Sequence, residues 1–184
     1  LDVVRAAGET GVPAIAVITA GFGEAGAKGA ARERELVALA KEYDIELVGP
    51  NSLGVMSTRS GLNATFGPAM AAPGSVAFMS QSGAFITAVL DWANDEGFGF
   101  SDVVSLGNKA AMDETDFVRR WNRDSETNVV LAYLESIVDG RAFINAARES
   151  DTPVVAVKSG RTDAGAQAAS SHTGAIAGSE AAYE

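Results

Sequence analysis

Short apolar runs alternate along this chain with longer segments of helical period, and glycine-rich turns separate them. That alternation most constrains the fold. It is the signature of a parallel sheet covered by helices, because parallel strands need crossover connections and cover on both faces. The expected class is therefore α/β, built as three-layer parallel sheets. The first strand reads as Pro13 to Thr19, followed by the turn Ala20 to Gly26 and a helix over 28–42. In that helix Leu36, Val37, Leu39 and Ala40 stand at helical spacing against a charged face of Arg32, Glu33, Arg34 and Glu35. A second strand, Ile45 to Val48, is stopped by Gly49-Pro-Asn51, since proline cannot donate a ladder hydrogen bond. A short strand is expected over 54–57.

Residues 57–74 carry glycines, prolines and small polar residues without a sustained period, and read as a boundary or crossing loop. A second α/β series then begins with Ser75 to Met79, the turn Ser80-Gln-Ser-Gly83 and an apolar helix over 84–95. Strands near 101–105, 128–134 and 153–157 continue it, joined by helices near 113–122 and 139–149. Ile15, Val17, Val76, Phe78, Val103, Val130, Leu131, Val155 and Val157 are the expected buried strand residues. The reading divides the chain into the tail of one α/β domain, 1–72, and most of another, 73–184.

Composition narrows the chemistry. With no cysteine and one histidine among 184 residues, a disulfide scaffold, a thiol nucleophile, an iron–sulfur centre and an ordinary zinc site are excluded. A formal charge of -10 without any basic run argues against nucleic acid as a partner. No apolar stretch approaches the roughly 20 residues that span a bilayer, so a soluble, cytoplasmic protein with no membrane partner is expected. The start, Leu1-Asp-Val-Val-Arg, is neither a signal peptide nor an initiator methionine, and the chain reads as a piece. An acid-rich surface with many small residues also occurs in proteins adapted to high salt.

In open α/β sheets ligands gather beyond the C-terminal strand ends, where helix N-termini present unpaired N–H groups. Residues 19–26, 80–83, 105–109 and 158–161 fall at such ends. Ser80, Gln81, Ser82 and Gly83 read either as an oxyanion or phosphate cradle or as an ordinary helix N-cap. The GFGEAG stretch is read as lacking the G-x-G-x-x-G spacing immediately opening a helix, and no P-loop is present, so neither a dinucleotide fingerprint nor a Walker site is expected. His172 lies in a small-residue segment without a bulky apolar neighbour, a setting suited to a loop that carries a nucleophile. A histidine that attacks phosphorus needs a carboxylate or carbonyl on its other ring nitrogen. Glu135, at the end of the apolar run 128–134, can supply it, although a solvated glutamate is the plainer reading. Lys109 and Lys158 are further strand-end charges compatible with phosphate or carboxylate recognition.

Taken together and in order, ITAGFGEAG (18–26), GPNSLGV (49–55), LNATF (62–66), SQSGA (80–84), SLGNKA (105–110), LESIVDG (134–140), KSGR (158–161) and SSHTGAIAG (170–178) make the chain resemble the NDP-forming acyl-CoA synthetases. The likeness is strongest to the alpha region of ADP-forming acetyl-CoA synthetases (acetate–CoA ligases), and more distant to the succinyl-CoA synthetase alpha subunit. It implies the last part of a CoA-binding Rossmann-like domain followed by a flavodoxin-like ligase domain. It implies exchange of acyl-CoA and phosphate for an acyl phosphate and CoA, then transfer of the phosphoryl group to histidine and on to ADP. His172 is then the phosphorylated residue and Glu135 its orienting partner. Ser80, Gln81, Ser82 and Gly83, with Gly107 and Asn108, become phosphate-binding. Ala20, Gly21, Phe22, Asn51 and Ser52 fall near the pantetheine arm, thiol or acyl group of CoA. Ser52 stands where the succinate enzymes usually carry Cys, which favours the acetate-type branch.

The implied partners are acetate or another small acyl group, phosphate, CoA, an ATP-grasp domain or beta subunit, and further copies in an oligomer. ADP or ATP with Mg2+ would be bound mainly by that module outside this chain, and no metal site is expected within it. The fragment alone is expected to be inactive. Alternatives are the CoA-synthetase-like region of a protein lysine acetyltransferase and a non-catalytic CoA-binding regulatory module.

Overall fold

In the computed structural model, residues 1–67 and 69–160 are described. His172, Arg161 and the SSHTGAIAG segment therefore lie outside the described residues. The order is α1 (Asp2–Glu9), β1 (Ala14–Ala16), α2 (Ala27–Glu42), β2 (Glu46–Val48), β3 (Gly54–Ser57), β4 (Leu62–Thr65), β5 (Pro73–Ser80), α3 (Gly83–Asp95), β6 (Phe100–Ser105), α4 (Glu114–Trp121), β7 (Val129–Leu134), α5 (Gly140–Glu149) and β8 (Val154–Lys158). β1 and β2 form a parallel pair, and the other strands form a six-stranded sheet in the order β4-β3-β6-β5-β7-β8.

Side-chain caps start the helices of the second half. Ser82 accepts from the Phe85 amide at α3, Asp113 and Asp116 form a capping box at α4, and Asp139 accepts from Ala142 at α5. Acids in the first turn of α4 and Arg119 and Arg120 in its last turn complement the helix dipole. The central strand β5 is buried on both faces. Ala77 and Met79 join Leu106, Val118, Trp121, Val130 and Leu134 on the α4–α5 side, while Val76 and Phe78 join Ile86, Leu90, Phe100 and Val103 under α3. A separate cluster of Phe22, Leu36, Leu39 and Leu47 packs α2 onto β1 and β2.

The structure alters the expectation in several places. The segment 57–74 is not structureless: β4 pairs antiparallel with β3, and β3 pairs antiparallel with β6. The parallel sheet thus has an antiparallel edge, made by strands from before residue 72. LNAT has no burial pattern of its own to reveal it, since Leu62, Asn63 and Ala64 are exposed and Thr65 only partly buried. Val155 and Val157 are 52% and 56% exposed rather than core. Both sit on β8, which pairs only with β7 among the described residues, and they extend the α3 face past Leu131 and Tyr133, beyond the reach of that helix. Finally, α2 begins at Ala27, directly after Gly26. Gly21, Gly23 and Gly26 therefore do hold G-x-G-x-x-G spacing at a helix start, inside a β1–α2–β2 unit.

Candidate functional site

From β5 the chain passes through α3 to β6 on one side, then crosses back through α4 to β7 on the other side of β5, so the sheet order reverses between β5 and β7. The crevice beyond the C-terminal ends of those strands is where open α/β sheets bind ligands. Gln81 follows β5 and Glu135 follows β7, and the fold brings them together across 54 residues of sequence: the Gln81 carboxamide oxygen accepts from the Glu135 amide at 2.8 Å. The same oxygen accepts from the Ser136 amide at 2.9 Å, and Gln81 Nε2 donates to Ser136 Oγ at 3.0 Å. Lys158, at the end of β8, donates to the Glu135 carbonyl at 2.8 Å.

Glu135 itself is 7% exposed, and its carboxylate takes no hydrogen bond from any described residue. The ammonium of Lys158 lies nearby. Burial, reinforced by the like charge of Lys109 and opposed by Glu135, holds the Lys158 ammonium below the usual lysine range. At the start of α3, the Ser80 hydroxyl is fully buried and closed on Ser82, whose own hydroxyl caps Phe85. Ser80, Gln81 and Ser82 thus use their side chains to shape the turn. Among the described residues no acceptor meets the amides of Gly83 and Ala84, two of the orphan donors that begin any helix.

The other candidates gather on the opposite side of the 105–110 turn. Asn51 has φ 55; its amide donates to the Thr19 carbonyl and its side chain to Asn108 Oδ1 at 3.3 Å. Ser52 is 2% exposed and donates to the Ser105 carbonyl at 2.7 Å, a bond that a thiol would make only weakly. Gly107 is wedged against the Pro50 and Asn51 carbonyls, and Asn108 and Ala110 donate to Pro50 and Gly49. Asn108 Nδ2 donates to Glu24 Oε2 at 2.5 Å and to Glu33 Oε2 at 2.8 Å. Gly107 and Asn108 thus contact Asn51 and the 21–24 loop, while the preceding Leu106 amide donates to the Ser80 carbonyl at 2.8 Å, beside the α3 turn.

Sequence reasoning missed Glu24, Arg32 and Glu33, which were counted as solvated charges or not at all. The Glu24 carboxylate accepts from the amides of Gly21 and Phe22, Glu33 accepts from Gly23 at 3.0 Å, and Arg32 donates to the Gly21 carbonyl at 2.9 Å. The glycine loop's amides, the groups that would cradle a pyrophosphate, are spent on the chain's own carboxylates. That explains how a G-x-G-x-x-G spacing can exist without a nucleotide fingerprint's chemistry. Burial raises the Glu24 carboxyl, but the bonds from Asn108, Gly21 and Phe22 outweigh it and hold the group below 4.5. Glu114, buried at the start of α4, was missed as well, because an acid in the first turn of a helix carries no signal beyond capping.

A cleft of about 970 Å³ runs between β1–β2 and β3–β4 and is lined by Ala14, Val48, Val55, Leu62 and Trp121, away from both clusters. Among the described residues no cluster of potential metal ligands exists, and no helix is long and apolar enough to cross a membrane.

A family model described as a succinyl-CoA ligase like flavodoxin domain matches residues 73–184. The chain belongs to that family. It is 50% identical over 98% of its length to the acetate–CoA ligase (ADP-forming) I of Archaeoglobus fulgidus, of which it spans 27%. It is 43% identical over 99% of its length to the alpha subunit of the acetate–CoA ligase (ADP-forming) I of Pyrococcus furiosus, of which it spans 40%. Among solved structures, the dinucleotide forming acetyl-coenzyme A synthetase 1 of Candidatus Korarchaeum cryptofilum, in complex with phosphate and ADP, superposes with a TM-score of 0.92 at 43% identity, over 99% of this chain and 40% of that one. The chain spans less than half the length of these relatives.

Proposed function

We propose that the chain is the part of an ADP-forming acetate or acyl-CoA ligase in which the phosphoryl group is received and passed to His172. The observation that carries this reading is the convergence of the α3 N-terminus and Glu135 at the switch point of the sheet, held by Gln81. Phosphate oxygen would attack the thioester carbonyl, forming a C–O bond as the C–S bond breaks and the thiolate of CoA leaves. A ring nitrogen of His172 would then attack phosphorus, and the carboxylate of the acid leaves. The open amides of Gly83 and Ala84 are suited to the negative charge on the transferred group. Glu135, buried and without a donor among the described residues, is suited to hold the N–H of the other ring nitrogen. His172 would finally transfer its phosphoryl group to ADP on an ATP-grasp module with Mg2+.

For CoA, the exposed side of Ala20 and Asn51 beside buried Phe22 offers a surface for the pantetheine end. Gly107 and Asn108 would support that surface. We take 1–72 as the end of a CoA-binding Rossmann-like domain and 73–184 as the ligase domain, with β3 and β4 lending their backbone to the second sheet. A cytoplasmic enzyme working as an oligomer is part of the same proposal.

The test uses the full-length protein with labelled ATP and magnesium. An acid-labile, base-stable phosphoryl adduct at His172 is expected, lost in His172→Ala and strongly slowed in Glu135→Gln. Absence of the adduct from the intact, folded protein overturns the reading.

A further inference from the structure

Lys109 and Glu114 form an ion pair of 2.8 Å whose side chains are 2% and 0% exposed. Two charges taken wholly out of water gain little net stability from each other, so such a pair is weak evidence for a stabilising role. What distinguishes this one is where the remaining bonds go. Lys109 Nζ also donates to the Ser136 carbonyl at 2.8 Å, and Glu114 Oε1 accepts from the Val138 amide at 2.7 Å. Both partners therefore close on the turn that begins with Glu135.

With the bonds described above, the backbone of that turn is held almost atom by atom. Gln81 takes the amides of Glu135 and Ser136, Lys158 the Glu135 carbonyl, Lys109 the Ser136 carbonyl and Glu114 the Val138 amide. Each clamp is a side chain from a different strand end or helix start, so the turn has no local structure of its own to rely on. Lys109 reaches its place from a left-handed backbone with φ 57, a conformation that costs a non-glycine residue energy and persists only where the surroundings enforce it. Glu114 is the first residue of α4, where the helix dipole favours its charge.

Resting on the reading of Glu135 as the histidine's partner, we propose that the Lys109–Glu114 ion pair is a positioning device for Glu135. It fixes the 135–138 turn so that the carboxylate meets the phosphorylatable ring in one geometry. Neither residue touches the reacting atoms. Their role is exerted through the turn's backbone.

The experiment compares the full-length parent with the double variant Lys109→Met, Glu114→Met, which removes both charges together and leaves none unpaired. Amide exchange over 135–138 is expected to rise about 10-fold or more, with exchange in β5 and β7 unchanged. Phosphorylation of His172 is expected to slow about 10- to 100-fold while KM for acyl-CoA stays within about twofold, a split that general loosening of the fold would not give. A folded double variant with the parent's turn exchange and phosphorylation rate overturns the proposal. If the double variant does not fold, Glu114→Gln decides by the same readouts: turn exchange and phosphorylation must change together. A parent that forms no His172 adduct overturns the reading of Glu135 instead, and the exchange measurement still decides whether the pair holds the turn.

Discussion

Asn108 and Lys109 are neighbours in one tight turn, yet they serve clusters of opposite character. Asn108 ties the 21–24 loop through the partly buried carboxylates of Glu24 and Glu33, whereas Lys109, in a fully buried ion pair with Glu114, ties the 135–138 turn. Both clusters satisfy irregular backbone with side chains from elsewhere in the chain. They differ in what a missing partner costs. Water can replace a lost bond around Glu24, but the Lys109 side chain is only 2% exposed, so the two should respond very differently to single substitutions.

The sharpest break comes from Lys109→Met alone, which leaves the Glu114 carboxylate buried and unpaired. A loss of about 3–5 kcal/mol is expected in chemical denaturation, and adding Glu114→Met should recover a large part of it. Next is Gly107→Ala. Gly107 has φ 57, and a Cβ there would stand 2.1 Å from the Pro50 carbonyl oxygen. The turn must shift, at about 2–3 kcal/mol, and both clusters should loosen in amide exchange, because both hang from it.

Glu33→Gln should cost only about 1 kcal/mol, since an acceptor remains for Gly23 and Asn108 while the charge is lost. Its mark should be faster exchange confined to residues 21–24. The smallest effect is that of acid. The folded Glu24 carboxyl lies below its ordinary value of 4.5, so its contribution is complete above that pH and is lost as pH falls through the lowered value. The 21–24 loop should therefore loosen on acidification in the parent and hardly at all in Glu24→Gln. Equal acid sensitivity in the two proteins would show that another group is responsible.

Much of the fold was legible because its signals are local. The apolar period of 84–95, the acids and arginines at the two ends of α4 and the unbroken apolar run of β7 each name an element without reference to the rest. Val155 and Val157 misled for the same reason: their sequence says strand, but which strand stands at the border of the described sheet is decided by its order. β4 escaped notice because LNAT is a strand only by pairing with β3. Glu135 and Gln81 were legible as strand-end residues, but their contact was not, since nothing in the sequence between them encodes a 2.8 Å approach.

The charged residues mark the limit most clearly. Glu33 and Glu35 look alike on α2, yet only Glu33 turns inward to the glycine loop, because β1, α2 and the 105–110 turn converge on its side. Sequence alone determined the alternation of strands and helices, the positions of the caps and the polar residues at strand ends, since period and turn chemistry act over a few residues. Tertiary structure alone decided which of those polar residues meet. Strand order sets that, and a buried charge must find a partner wherever the packing of the whole sheet supplies one.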